Sequence, residues 1–260
     1  MKQSATEPTD EPLDLATQTR EVRDRSATSS RTLLEAARAD DAGYDALMEA
    51  ARALTIDADL RVRSALALDP GATDLPSPDA LIAAEDDLPG DLKAEVRSLS
   101  TTIEELTERA LELRPDDPDA RLYRTLGMGL TLWSLPVVQA MGSGATRALP
   151  GEIKSLAAEH PALEGAAPLR LAGRFKTRAP WPLRDLETGR DQLERACELA
   201  PIPLNLLFLG DAQWLCGDEE AAVATWQRAT TAEADEETSD TAPLVRELAR
   251  LRVLSAEAQT

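Results

Sequence analysis

The sequence predicts an all-α protein: a stack of antiparallel helical hairpins, an α-solenoid that is irregular in its middle. Three observations predict it. Strand formers are scarce, since 260 residues hold two Phe, two Tyr and four Trp, whereas Ala, Leu, Glu and Arg, all good helix formers, dominate. A helix-ending phrase recurs: Arg63-Ser64-Ala65-Leu66-Ala67-Leu68-Asp69-Pro70, then Arg109-Ala110-Leu111-Glu112-Leu113-Arg114-Pro115, then Arg195-Ala196-Cys197-Glu198-Leu199-Ala200-Pro201. Each offers a small Ala where another helix can press close, a Leu three residues on, and a Pro that stops the helix. Finally, Pro70 and Pro115 lie 45 residues apart, and Pro115 and Pro201 lie 86 apart, close to twice that. A fixed period in this range marks stacked hairpins.

Residues 1–12 are polar and Pro-containing, and are expected to form a disordered tail. That leaves 13–260 as a single helical domain. A helix is expected from near Pro12, fading by Ser30, followed by short helices over 31–39, 44–54 and 57–68. Asp69 to Pro78 carries three Pro and one Gly and reads as a loop. Ser77-Pro78 then starts a helix, with Ser as cap and Pro in the first turn. In the next helix Leu92, Val96, Leu99, Ile103, Leu106, Ala110 and Leu113 alternate steps of four and three, which places them on one stripe. Pro89 and Pro115 restrict that stripe to about three heptads, so it is expected to pack within the domain rather than form an intermolecular coiled coil. Residues 117–133 supply the partner helix, which Pro136 must kink or break. Gly142-Ser143-Gly144-Ala145 reads as a flexible loop, 150–159 as a short helix, and 167–184 as an interruption of the pattern. Helices return over 185–200, 203–216 and 218–231. Ala232 to Asp240 holds five acids and reads as a solvated run. A last helix over 241–258, with Leu244, Leu248, Leu251 and Leu254, is expected to cap the open end of the stack.

The formal net charge is −19. That excludes nucleic acid, whose phosphates need neutralising Lys and Arg, and anionic membrane surfaces. No stretch reaches the roughly 18–20 apolar residues of a membrane span. The first residues lack the apolar region of a signal peptide, which reads as cytoplasmic for the chain as it stands, and as periplasmic or lipid-anchored if a leader has been removed. Only Lys2, Lys93, Lys154 and Lys176 stand among 28 basic residues; a GC-rich genome and a high-salt habitat both account for that. Cys197 and Cys216 are expected as small buried apolar residues, not a disulfide, because the helix rise separates them.

Residues 206–229 resemble a tetratricopeptide repeat. Leu206, Leu209, Gly210, Gly217, Ala222, Trp226 and Ala229 stand where that family places its bulky, small and turn residues. Gln213 departs from it where an aromatic is usual, with Trp214 one place on, and Ala234 stands where the closing Pro belongs. The clearest repeat therefore spans 203–231. The resemblance implies a protein-binding scaffold with a concave face. A narrower likeness rests on Gly173-Arg174-Phe175 and Pro180-Trp181-Pro182-Leu183-Arg184-Asp185. These residues resemble segments of bacterial envelope repeat proteins, including accessory subunits of tripartite periplasmic (TRAP) transporters of the TatT type. That likeness implies a solute-receptor partner and an apolar channel through the stack.

Two places offer binding chemistry. Leu169–Arg190 is the only basic patch, and Arg174, Arg178 and Arg184, with Trp181 to stack on a ligand, would suit an anionic ligand or an acidic partner. The same arginines would equally pin a Pro-rich loop onto acidic helices. The passage from Tyr123 to Val138 is apolar, and Met128 and Trp133 could line a cavity for a small apolar ligand or simply pack a central helix. His160 is the lone histidine, and with two Cys it builds no zinc set. No Gly-x-Ser-x-Gly elbow, Walker loop or dinucleotide fingerprint occurs. Acidic pairs such as Asp86-Asp87 read as solvated surface. The sequence thus predicts a scaffold without catalytic activity or cofactor, binding a protein partner, and alternatively an envelope accessory protein with a small apolar ligand or a solute-receptor protein.

Overall fold

A computed structural model describes residues 14–68, 75–180, 182–236 and 238–259. Its helices are α1 (Leu15–Ala37), α2 (Tyr44–Leu68), α3 (Pro78–Ala83), α4 (Gly90–Leu113), α5 (Pro118–Ser134), α6 (Val137–Gly142), α7 (Gly144–Glu159), α8 (Leu163–Arg178), α9 (Leu186–Leu199), α10 (Pro203–Leu215), α11 (Glu219–Thr231) and α12 (Ala242–Glu257), with a 3-10 turn at Ala84–Asp87 after α3. No strand occurs among the described residues. Side chains cap the starts as the sequence pattern requires. Asp14, Ser77, Asp117, Ser143 and Asp185 each accept a backbone N–H in the first turn of α1, α3, α5, α7 and α9.

The repeat region follows expectation within a residue or two. The first half is more regular than expected. α1 and α2 are continuous, because Ser30 and Thr55 hydrogen-bond back to the carbonyls of Ala27 and Ala51 and leave the helix unbroken. The Gly142–Ala145 loop is mostly helix, since Ser143 caps α7 at Gly144. The expected interruption over 167–184 is largely α8, a core helix. Both the expected tail at 1–12 and Asp69–Asp74 of the expected loop lie outside the described residues.

The inner helices close into a circuit. α2 packs on α5, α5 on α8, α8 on α10, α10 on α12, and α12 returns to α2. Outside them, α1 lies over α12 and α2, α4 over α2 and α5, α7 over α5 and α8, α9 over α8 and α10, and α11 over α10 and α12. Cross-links fix the directions. Tyr44 Oη donates to Asp117 at 2.5 Å, and Arg114 pairs with Asp45, so the start of α2 meets the end of α4 and the start of α5. Arg97 at the start of α4 bonds Ser134 at the end of α5, and Arg121 at the start of α5 pairs with Glu159 at the end of α7. Inner helices therefore run one way and outer helices the other. The links around Ala42, Asp117, Pro161 and Pro201 gather on one rim; those around Pro76, Pro136, Pro180 and Gly217 gather on the opposite rim. α12 does more than cap a stack: it also joins the last hairpin to the first.

Small residues set the closest approaches. Every residue of α10 from Pro203 to Ala212 is buried, and Gly210 lies under the Trp226 ring. α8 and α9 meet at Gly173 and Gly189, where a Cβ on Gly173 would overlap Leu193 and come within 2.8 Å of the Gly189 carbonyl oxygen. Backbone cannot step aside as a side chain can. Gly173→Ala is therefore expected to cost about 1–3 kcal/mol, read as a lower urea midpoint with an unchanged far-UV spectrum.

Candidate functional site

The inner helices surround an axis lined with charge. At one end Arg52 of α2 pairs with Asp119 at 3.2 Å and Glu164 at 3.4 Å, while the Tyr123 hydroxyl donates to Glu164 at 2.6 Å. Burial, then the neighbouring Glu164 carboxylate, push the Tyr123 phenol far above its ordinary range. Midway, Arg63 pairs with Asp59, and Arg170 donates to Asn205 Oδ1 at 2.8 Å and to the Gly165 carbonyl at 3.1 Å. Burial lowers the Arg170 pKa. Asn205 also donates to Gly165 O, so two side chains hold the left-handed turn of Glu164, Gly165 and Ala166 inside α8. Left-handed backbone costs about 1–2 kcal/mol for each non-Gly residue, which those bonds offset.

At the far end Asp211 of α10 is 1% exposed. It accepts from Arg252 Nε of α12 at 2.6 Å and from Trp226 Nε1 at 3.1 Å, and Arg174 of α8 stands 3.6 Å away. Arg174 also binds Glu85 at 2.6 Å and lies 4.4 Å over the Phe208 ring, with Arg63 5.6 Å from the same ring. Burial alone would raise the Glu85 pKa, yet Arg174 and then Arg63 hold its carboxyl below the ordinary range.

Residues 75–87 cross this end of the axis as a strap. Ile82 is fully buried and belongs to the apolar cluster that also holds Leu60, Leu207 and Val245. Glu85 and Asp86 reach Arg174 and Arg178, Trp214 Nε1 donates to Asp79 at 3.1 Å, and Ser255 donates to the Pro76 carbonyl.

The sequence-predicted residues are thus distributed. Arg174 lies inside the axial network. Arg178 pairs with Asp86 at 2.5 Å and donates to the Ile82 carbonyl at 3.2 Å. Arg184 is exposed on the rim, and Trp181 lies outside the described residues. The structure therefore brings Arg174 and Arg178 together under the strap and sets Arg184 apart. Met128 is buried among Leu149, Ile153, Ala166 and Leu169. Gly127 on the same helix presses on α4, where a Cβ would come within 3.0 Å of Glu104 and 3.2 Å of Ile103. Trp133 is half-buried, with Lys93 Nζ 5.7 Å from its ring. No local pattern in the sequence marks Glu85, Asp211 or Arg252; the Glu85-Asp86-Asp87 run is the one visible signal, and it resembles any solvated acidic stretch.

The rim that carries the strap also exposes apolar side chains: Leu75, Val138, which is 84% exposed, and Leu183. Cys197 and Cys216 are not bonded to each other; burial pushes the Cys197 thiol up to about 12, so it stays protonated and unreactive. Among the described residues no three of His, Cys, Asp and Glu converge to hold a metal ion, and no helix is long and apolar enough to cross a membrane. No family model matches the chain, and no curated protein matches it in sequence.

Proposed function

We propose that the protein is a non-catalytic interaction scaffold that docks a protein partner on the rim carrying the strap. One observation carries this reading: Leu75, Val138 of α6 and Leu183 are exposed apolar residues on the same rim, which also carries exposed Arg184. Apolar side chains left exposed along one rim offer a partner surface to bury. The opposite rim also exposes Leu113 and Leu199, which serve as the comparison positions. A photo-crosslinking residue placed at Val138 or Leu183 in the source cells should give adducts with the same protein, and one at Leu199 should not. Val138→Asp with Leu183→Asp should abolish those adducts and keep stability within about 0.5 kcal/mol. Equal adducts from both rims, or none from either, would refute the reading.

The closed circuit of inner helices favours a second reading, an envelope accessory protein of a tripartite transport system that encloses a small ligand or engages a solute receptor. The axis beside α8 and α10 carries Arg63, Arg170, Arg174, Glu85 and Asp211, so any ligand taken there would be polar, not the apolar one that Met128 and Trp133 suggest.

A further inference from the structure

We propose that residues 75–87 are a removable strap, and that the face they cover on α8, α10 and α12 takes, in their place, a partner segment of the same chemistry: an apolar anchor followed three and four residues later by carboxylates. The proposal rests on the scaffold reading and names the partner's chemistry.

The fold does not need the strap to close. α2 and α4 pack directly on each other with the end of α2 and the start of α4 on the same rim, where Arg61 pairs with Glu95 at 2.7 Å. Elsewhere such neighbours are joined by a few residues: Arg114–Asp117 joins α4 to α5, and Cys216–Asp218 joins α10 to α11. The link from α2 to α4 runs from 69 to 89 instead. Helix–helix connections in bundles generally take about 2–8 residues, so this link carries chain that joining α2 to α4 does not need. Its own helix, Pro78–Ala83 with the turn to Asp87, is too short to hold itself, so the face it sits on holds it.

The attachment is that of a bound peptide. Ile82 is its one fully buried large side chain, and it enters the apolar cluster of α10 and α12. Glu85, three residues on, meets Arg174; Asp86, four residues on, meets Arg178, which also binds the Ile82 carbonyl. At the near end Trp214 and Ser255 hold Asp79 and Pro76. Two arginines, an indole N–H and an apolar pocket form the receiving face; the strap presents their complements in order. Lifting it leaves Arg174 still facing Asp211 at 3.6 Å, so the face keeps a counter-charge and stays folded.

A labelled peptide with the sequence of residues 75–87 tests this by fluorescence anisotropy against the full chain. The native chain should bind it weakly, because its own strap competes at high effective concentration. Ile82→Asp with Asp86→Ala, which loosens the strap, should bind it at least tenfold tighter, and a peptide carrying Asp at the Ile82 position should not bind. Native-state hydrogen exchange offers a measure without mutation: amides of Ala80–Asp87 should open at least a hundredfold more often than those of α10. Exchange at the same rate as α10, collapse of the whole chain in the strap variant, or a folded variant that ignores the peptide would each overturn the proposal. A failed rim crosslink with tight peptide binding would sink the scaffold reading alone.

Discussion

Asp211→Asn should lower the stability of the chain by about 3–5 kcal/mol, the cost of breaking a buried ion pair by removing one partner. The amide has the shape of the carboxylate but not its charge. Arg252, 4% exposed, then keeps its guanidinium in the interior with Nε and Nη2 facing an uncharged group. Arg174 loses one of its two carboxylates, and the Trp226 indole keeps an acceptor at 3.1 Å only if the amide turns its oxygen that way. Equilibrium unfolding in urea measures the loss. The control is the pair removed together. Asp211→Leu with Arg252→Met leaves no unpaired charge and keeps apolar volume, so it should lose far less than Asp211→Asn. A double variant as unstable as the single would mean that the network contributes through its geometry and not through the balance of its charges.

The network also explains which parts of the molecule were legible in the sequence. The hairpin over 203–231 is legible almost to the residue, because Gly210, Gly217, Ala222 and Trp226 stand in one local pattern and Gly210 meets Trp226 across the turn at Gly217. The stripe on α4 is legible for the same reason, and Val96, Ile103, Leu106 and Ala110 are buried; Leu113, the last residue of α4, is exposed. α8 was not legible. Gly165, Pro168 and Gly173 look like loop residues in isolation. Gly165 serves a left-handed turn held from α10 by Asn205, and Gly173 serves a contact with Gly189 on the next helix. Both causes lie outside the segment itself. Glu85 is hidden in the same way: an acid beside two Asp looks solvated until Arg174, from a helix 89 positions away, is placed against it. Ring closure depends on α12 meeting α2, and no local spacing encodes it. Local periodicity reveals hairpins, and long-range charge pairing decides what their inner face does.

Trp226→Ala should cost about 3–5 kcal/mol, the range for emptying a buried aromatic site. The side chain is 0% exposed, fits over the bare Cα of Gly210, and lies 5.6 Å from the Trp214 ring at an interplanar angle of 32°. Its N–H is one of the donors that Asp211 holds, so the variant loses a hydrogen bond to a charged group as well as volume. Trp226→Phe separates the two losses, since it keeps most of the ring and drops the donor; it should fall between the native chain and the Ala variant. The partner of this site is Gly210. Gly210→Ala alone should destabilise, because the new Cβ overlaps the indole. In the Trp226→Ala background the same Cβ enters space the ring has left. The double variant should therefore be more stable than the sum of the single losses predicts, a coupling of about 0.5–3 kcal/mol in thermal or urea unfolding. Strict additivity would mean that the hairpin does not close on this pair, and that the small residue at 210 answers to some other neighbour.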